Sequence, residues 1–279
     1  MRTILLTAVA MTAFATNSLL CRLALGHHTI DAATFSSARV VAGAVTLAAI
    51  MVVRGNTRVV ADANWRAAAM LFAYMVFFSF AYLSLSAGTG ALILFGTVQL
   101  TMFTVALRGG ETFSRVSWTG LALAFAGLIY LVLPGVTAPD LLGAVLMAIA
   151  GMAWGFYSLL GRTAREPLAA TAGAFIYCVP AVLIVSVLSG VVSGIHATSS
   201  GLTLAIASGT IASGCGYVVW YAALPGLGAT RAATVQLSVP VIAAFGGVFL
   251  LSEEVTPRLL LAAAATLGGV AIVLTQRAK

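Results

Sequence analysis

The chain has 279 residues, 61% of them hydrophobic and 8% charged, with a mean hydropathy of +1.09. A water-soluble protein of this length needs more charge to cover its surface, so a soluble enzyme or binding domain is excluded. The net charge of +7 could point to nucleic acid, but its distribution, given below, makes it a topology signal and no nucleic-acid partner is expected.

Ten apolar runs fill the chain, each close to the ~20 residues that carry a helix across the ~30 Å hydrocarbon core. They lie at roughly 3–24, 31–53, 65–86, 89–107, 116–133, 140–160, 168–190, 200–221, 228–250 and 257–275. Span 1 carries Asn17 and Ser18 at depth and Arg22 near its far end. Arg2 ahead of it could mark a signal peptide, but span 1 has a counterpart in the second half, which favours a retained helix. The short loop that follows holds His27, His28 and Asp31. Two adjacent His can sense pH or bind metal; a solvated loop is the plainer expectation, and no metal site is expected. Arg39 is the deepest charge, about a third of the way into span 2. Pairing with helix-end carbonyls, snorkelling outward and a direct clamp on a carboxylate are the alternatives for it.

Span 3 spaces Tyr74, Phe78 and Tyr82 four apart, hence on one face. Span 4 places the Gln99 amide at mid-membrane depth, where it needs a hydrogen-bond partner. Span 6 holds Gly151 and Gly155, four apart, which allow close approach of a neighbour, and Trp154 and Tyr157 on one face. Span 8 has Tyr217 and Tyr221; span 9 has Gln236 and Pro240. The aromatic stripes serve packing, an interfacial belt or a cavity lining, and Trp154 is too deep for a belt. Trp65 and Trp118, near span ends, are expected as interfacial anchors. Glycines cluster in spans 4, 8 and 9, where a transporter would bend. Cys21, Cys178 and Cys215 fall inside spans without metal-type spacing and are expected to be small buried residues. Asp31, Asp62, Glu111, Asp140, Glu166, Glu253 and Glu254 all fall at span ends or in loops. With no carboxylate at depth, transport is not expected to depend on an intramembrane acid.

With the N-terminus cytoplasmic, Arg2, Arg54, Arg58, Arg66, Arg108, Arg115, Arg162, Arg165, Arg231, Arg277 and Lys279 fall on the inner side. Arg22 and Arg258 fall on the outer side. This positive-inside bias predicts a multi-pass protein of the inner (plasma) membrane with both termini cytoplasmic.

The second five spans repeat the first five. Phe14-Ala15-Thr16-Asn17-Ser18-Leu19-Leu20-Cys21-Arg22 recurs as Trp154-Gly155-Phe156-Tyr157-Ser158-Leu159-Leu160-Gly161-Arg162, 140 residues on. Ala91 to Glu111 aligns with Ala233 to Glu253 at an offset of 142. Five is odd, so the halves insert with opposite orientation. The expected fold is an all-α membrane protein of ten transmembrane helices in two inverted five-helix repeats, 1–136 and 137–279. Such repeats are typical of secondary transporters, with the substrate site near the midplane.

Several stretches resemble the EamA-type ten-helix transporters of the drug/metabolite transporter superfamily. They are Phe35-Ser36-Ser37-Ala38-Arg39, Ala81-Tyr82-Leu83-Ser84-Leu85 with Ala87-Gly88, Glu111 with Gly120 and Gly127, Tyr221-Ala222-Ala223-Leu224, and Gln236-Leu237-Ser238-Val239-Pro240 through Glu253. The resemblance covers nearly the whole chain and brings exporters of neutral and aromatic amino acids to mind. One departure is Val98, followed by Gln99, in span 4, where the family often has Pro; any bend there must come from Gly96. The expected function is export of small metabolites, amino acids first, by alternating access, with no enzyme activity and no cofactor. The expected substrate-binding residues are Asn17, Tyr74, Phe78, Tyr82, Gln99, Trp154, Tyr157, Tyr217 and Gln236. The expected partners are that substrate and membrane lipid, compatible with a monomer. A multidrug or cation exporter, and a channel or scaffold without alternating access, remain the alternatives.

Overall fold

The computed structural model describes residues 1–55, 60, 63–161, 164–227 and 229–277, apart from the side chains of 229, 230 and 277. Arg58, Asp62, Arg162, Lys279 and the Arg277 side chain therefore lie outside the described residues. The helices are α1 (Arg2–Gly26), α2 (Ala32–Val53), α3 (Trp65–Ala81), α4 (Ala87–Arg108), α5 (Arg115–Val132), α6 (Leu141–Gly161), α7 (Pro167–Ser193), α8 (Ser199–Ala207), α9 (Gly216–Ala223), α10 (Ala229–Val235), α11 (Ser238–Leu251) and α12 (Pro257–Arg277). A π-helical segment, Ser208–Cys215, joins α8 to α9. Nine stretches among the described residues are long and apolar enough to cross a membrane, with α8 through α9 forming one and α10 with α11 another. The shorter apolar helix α3, at 17 residues, is the remaining crossing and rises only ~25 Å. The chain is an all-α membrane protein.

The polar residues between the apolar runs set the helix starts. A helix leaves its first N–H groups unpaired, and side-chain oxygens accept from them. Asp31 accepts from Thr34 N, Ser86 from Thr89 N, Ser114 from Ser117 N and Thr198 from Gly201 N. Asp140 accepts from Gly143 N and Thr256 Oγ1 from Leu259 N. Asp31 and Asp140 are thus helix caps, which explains why these acids stand at span ends.

Helices α5 and α12 pack on each other, α4 packs on α6 and α11, and α2 packs on α7 and on the π-containing crossing. Helix α3 packs on α6, and α1 on α8, α9 and α11. Glycine makes the close approaches. A Cβ at Gly151 would stand 2.8 Å from Leu94 O of α4, so the neighbour that the Gly151/Gly155 pair admits is α4. A Cβ at Gly209 would overlap Arg39 O, so the π segment lies directly on the backbone of α2.

Two spans expected to bend behave differently. Pro240 has no N–H to give the Gln236 carbonyl. The helix breaks there, between α10 and α11, and Val239 N reaches Gln236 O at 3.1 Å instead. Span 4, with Val98 in place of a proline, is one unbroken helix.

Gly120, which itself lines neither of the cavities described below, tests the packing of α5 on α12. A Cβ there would lie 2.7 Å from Gly269 O. Gly120→Val is expected to cost about 1–3 kcal/mol of stability through overpacking. The check is thermal melting in detergent.

Candidate functional site

A cavity of about 660 Å³ enters the bundle from one face. Its mouth is formed by Gly109 and Glu111 after α4, Gly161 at the end of α6, Pro167 at the start of α7 and Leu224 after α9. This is the face that carries the N-terminus: Gly226 packs on Thr3 of α1. Gln99, Trp154, Tyr157, Tyr217 and Gln236 all line the cavity. The Gln99 side chain is buried at 8% exposure, and its amide has no hydrogen-bond partner among the described residues. Gln236 Nε2 donates to Ala232 O of its own α10 at 3.2 Å. Near the mouth, Tyr157 Oη donates to Thr171 Oγ1 at 3.1 Å, and Thr171 pairs with Tyr221 Oη at 2.9 Å.

Deeper in the bundle lies a second, much smaller space of about 10 Å³. Phe14, Trp154 and Tyr217 line both spaces and form the partition between them. Asn17, Ser18, Arg39, Tyr74, Phe78 and Ser213 line the deep one. The aromatic rings form a box around Trp154. Tyr74 stacks on it at 5.3 Å between centroids, while Phe95 and Phe14 meet it edge-on at 5.1 and 5.9 Å. Aromatic pairs in these geometries contribute about 0.5–1.5 kcal/mol beyond simple burial.

A polar network crosses the deep space. Arg39 Nη2 donates to Tyr74 Oη at 3.0 Å, and Arg39 Nε to Ser213 Oγ at 3.3 Å. Asn17 Nδ2 also donates to Tyr74 Oη, at 3.3 Å, and Ser208 Oγ donates to Asn17 Oδ1 at 2.6 Å. The guanidinium lies over the rings of Phe78 and Tyr74, 4.9 and 5.4 Å from their centroids. Arg39 therefore neither snorkels nor pairs with helix-end carbonyls.

The π segment makes this network possible. Ser208 and Ser213 are five apart, which on an α-helix would turn them ~140° away from each other. The i→i+5 bonding of a π-helix widens the turn and brings both hydroxyls into the same network. Nothing in the sequence announces a π segment beyond its glycines, Gly209 and Gly214. Ser208, Ser213, Phe14, Phe95 and the placement of Arg39 are the site features that sequence reasoning missed. The alignment of Phe14 with Trp154 was the available signal for Phe14.

Tyr82 lies elsewhere. It lines neither space and is fully buried near the opposite face, where its hydroxyl donates to Ala87 O at 3.3 Å. Above it the bundle is sealed. Arg22 Nε meets Glu253 Oε1 at 3.1 Å, Arg22 Nη1 donates to Tyr82 O at 3.2 Å, and Ala87 N donates to Glu253 Oε2 at 2.8 Å. The ends of α1 and α3, the start of α4 and the loop after α11 are tied together there.

Cys21 and Cys178 are buried, but Cys215 is exposed on the bundle surface, contrary to expectation. Trp65 and Trp118 are exposed at helix ends on the cavity-mouth face. His28 O meets the His196 ring in the opposite loop at 2.9 Å, and Asp31 Oδ2 accepts from His196 N at 3.2 Å. Among the described residues, no group of three or more His, Cys, Asp or Glu is placed to hold a metal ion.

Thiol accessibility tests this geometry. In a Cys215→Ser background, Gln99→Cys is expected to react with a membrane-impermeant maleimide offered at the mouth face. Tyr82→Cys is expected to stay protected from either side. Mass spectrometry of the labelled protein reads both outcomes.

The EamA-like transporter family model matches residues 141–275, from α6 into α12. An uncharacterized protein of Pseudomonas aeruginosa is 48% identical over 277 residues, covering 99% of this chain and 96% of its own. An uncharacterized transporter of Archaeoglobus fulgidus is 29% identical over 188 residues, covering 63% of each chain. A solved crystal structure at 19% sequence identity covers 98% of both chains with a TM-score of 0.65, a likeness of fold. The family match over the second half of the chain, the transporter relative and the apolar helices together support an EamA-type membrane transporter.

Proposed function

We propose that this membrane transporter is a carrier that exports small metabolites, neutral and aromatic amino acids first, by alternating access across the inner membrane. Both termini are cytoplasmic in this proposal, so the cavity mouth faces the cytoplasm. The halves 1–136 and 137–279 act as inverted repeats. The observation that carries it is the pairing of a 660 Å³ cavity open at one face with an opposite face closed by Arg22 and Glu253. A carrier needs one end shut while the other is open; a channel needs a path through both. The sequence repeat adds support: Phe14, Asn17 and Ser18 line the deep space, and their counterparts Trp154, Tyr157 and Ser158 line the large cavity. Inverted-repeat carriers hold substrate between the two halves near mid-membrane.

The direct experiment is uptake into proteoliposomes from a panel of amino acids and cationic dyes. Saturable uptake of neutral and aromatic amino acids is expected. Uptake of the dyes with no amino-acid flux would favour a multidrug exporter instead.

Three substitutions sharpen the proposal. Gln99 offers two donors and an acceptor to a zwitterion. Gln99→Ala is expected to weaken amino-acid transport severalfold with a detergent melting temperature close to wild type. Equal losses of stability and flux would make Gln99 a packing residue. No described carboxylate lines the deep space, so Glu111→Gln and Glu253→Gln are each expected to leave measurable flux. Abolished flux with intact expression and melting would contradict that.

A further inference from the structure

Arg39 is 1% exposed, and its Nη1 is the one fully occluded side-chain nitrogen or oxygen among the described residues with no hydrogen-bond partner. A guanidinium carries five N–H donors and no acceptor. Its neighbours have little left to offer. Tyr74 Oη already accepts from both Arg39 Nη2 and Asn17, and Asn17 Oδ1 already accepts from Ser208. No described carboxylate lines this space. A buried cation without a counter-ion is a strong anion site, because the low surrounding dielectric strengthens any pairing. The volume left beside it, about 10 Å³, is the room of roughly one water-sized atom. The partition of Phe14, Trp154 and Tyr217 separates that room from the large cavity.

We propose that Arg39 Nη1 receives one oxygen of a substrate carboxylate, and that this anionic end, not an amino group, is what the protein recognises. The substrate class is a small organic carboxylate with an apolar or aromatic body. Its body passes between the rings of Phe14, Trp154 and Tyr217, which part to admit it, and extends into the large cavity. Amino acids qualify through their carboxylate alone. No acidic side chain of the deep space waits for their ammonium group, so deaminated analogues bind as well and simple amines do not. This rests on the carrier function proposed above and narrows it.

The test is ligand binding to the purified full chain in detergent, read by tryptophan fluorescence, since Trp154 stands at the proposed contact. The probes are 3-phenylpropionate, phenylalanine and phenethylamine. Wild-type protein is expected to bind both carboxylates saturably, with 3-phenylpropionate at least as tight as phenylalanine, and to ignore the amine. Arg39→Gln is expected to weaken both carboxylates by about tenfold or more. Arg39→Lys keeps the charge but loses the planar fork, and is expected to bind with intermediate affinity. Thermal melting verifies that each variant is folded. If Arg39→Gln does not fold, the wild-type comparison of 3-phenylpropionate with phenethylamine decides. Phenethylamine binding as tightly as the carboxylates, or a folded Arg39→Gln binding carboxylates like wild type, would overturn the proposal. Because the readout is binding, the two proposals fail separately. Carboxylate binding without amino-acid flux removes the carrier function and leaves this one. Amino-acid flux with indifference to the carboxylate removes this one and leaves the carrier.

Discussion

The guanidinium of Arg39 is buried at the centre of the bundle, and much of the surrounding structure exists to accommodate it. Placing an arginine at the middle of a membrane helix costs about 3 kcal/mol on insertion scales. Here the cost is offset by two hydroxyl acceptors and two aromatic faces, drawn from α3 and the π segment. Each contributor needs a local device. Tyr74 and Phe78 reach the charge because four-residue spacing puts them on one face of α3. Ser213 reaches it because the helix widens into a π turn, and because Gly209 lets that segment lie on the backbone of α2. Asn17 joins through Tyr74 and Ser208. The network thereby ties α1, α2, α3 and the eighth crossing together.

Around this centre the two ends of the molecule differ. At one end, Arg22, Glu253 and the backbone at Tyr82 and Ala87 bind four chain segments together. Glu253 there both neutralises a cation and receives the first N–H of α4, a favourable site for an anion. At the other end the helices splay around the large cavity, whose walls include the broken crossing α10–α11. A broken helix beside a cavity is tolerated because its freed backbone groups reach water or substrate rather than lipid. Proline at 240 and glycines at 209 and 214 therefore lie where the fold must be least regular.

Much of this fold was legible in the sequence, because lipid permits few solutions. Length and hydropathy located the crossings, and the described acids stand at helix ends or in loops, as read; Asp31 and Asp140 turn out to be caps. The cavity residues were partly legible. A polar or large aromatic side chain at depth, such as Gln99 or Trp154, has few places to go, and both line the cavity. Tyr82 shares the face of Tyr74 and Phe78, yet α3 ends at Ala81, and one more turn carries the ring out of the cavity and beneath the closed end. Spacing gives the face but not the depth. Arg39 was visible as an oddity, while its partners were not, because Ser208 and Ser213 share a face only in a π-helix. Hydrophobic periodicity carries no signal for one irregular turn.

The most direct test of the carrier account is counterflow. Proteoliposomes are preloaded with unlabelled phenylalanine and diluted into trace labelled phenylalanine. A protein closed at one end while open at the other exchanges one molecule for another, so transient accumulation of label above its equilibrium level is predicted. A monotonic approach to equilibrium, with no overshoot at any preloading concentration, would mean that both ends open together and would contradict alternating access.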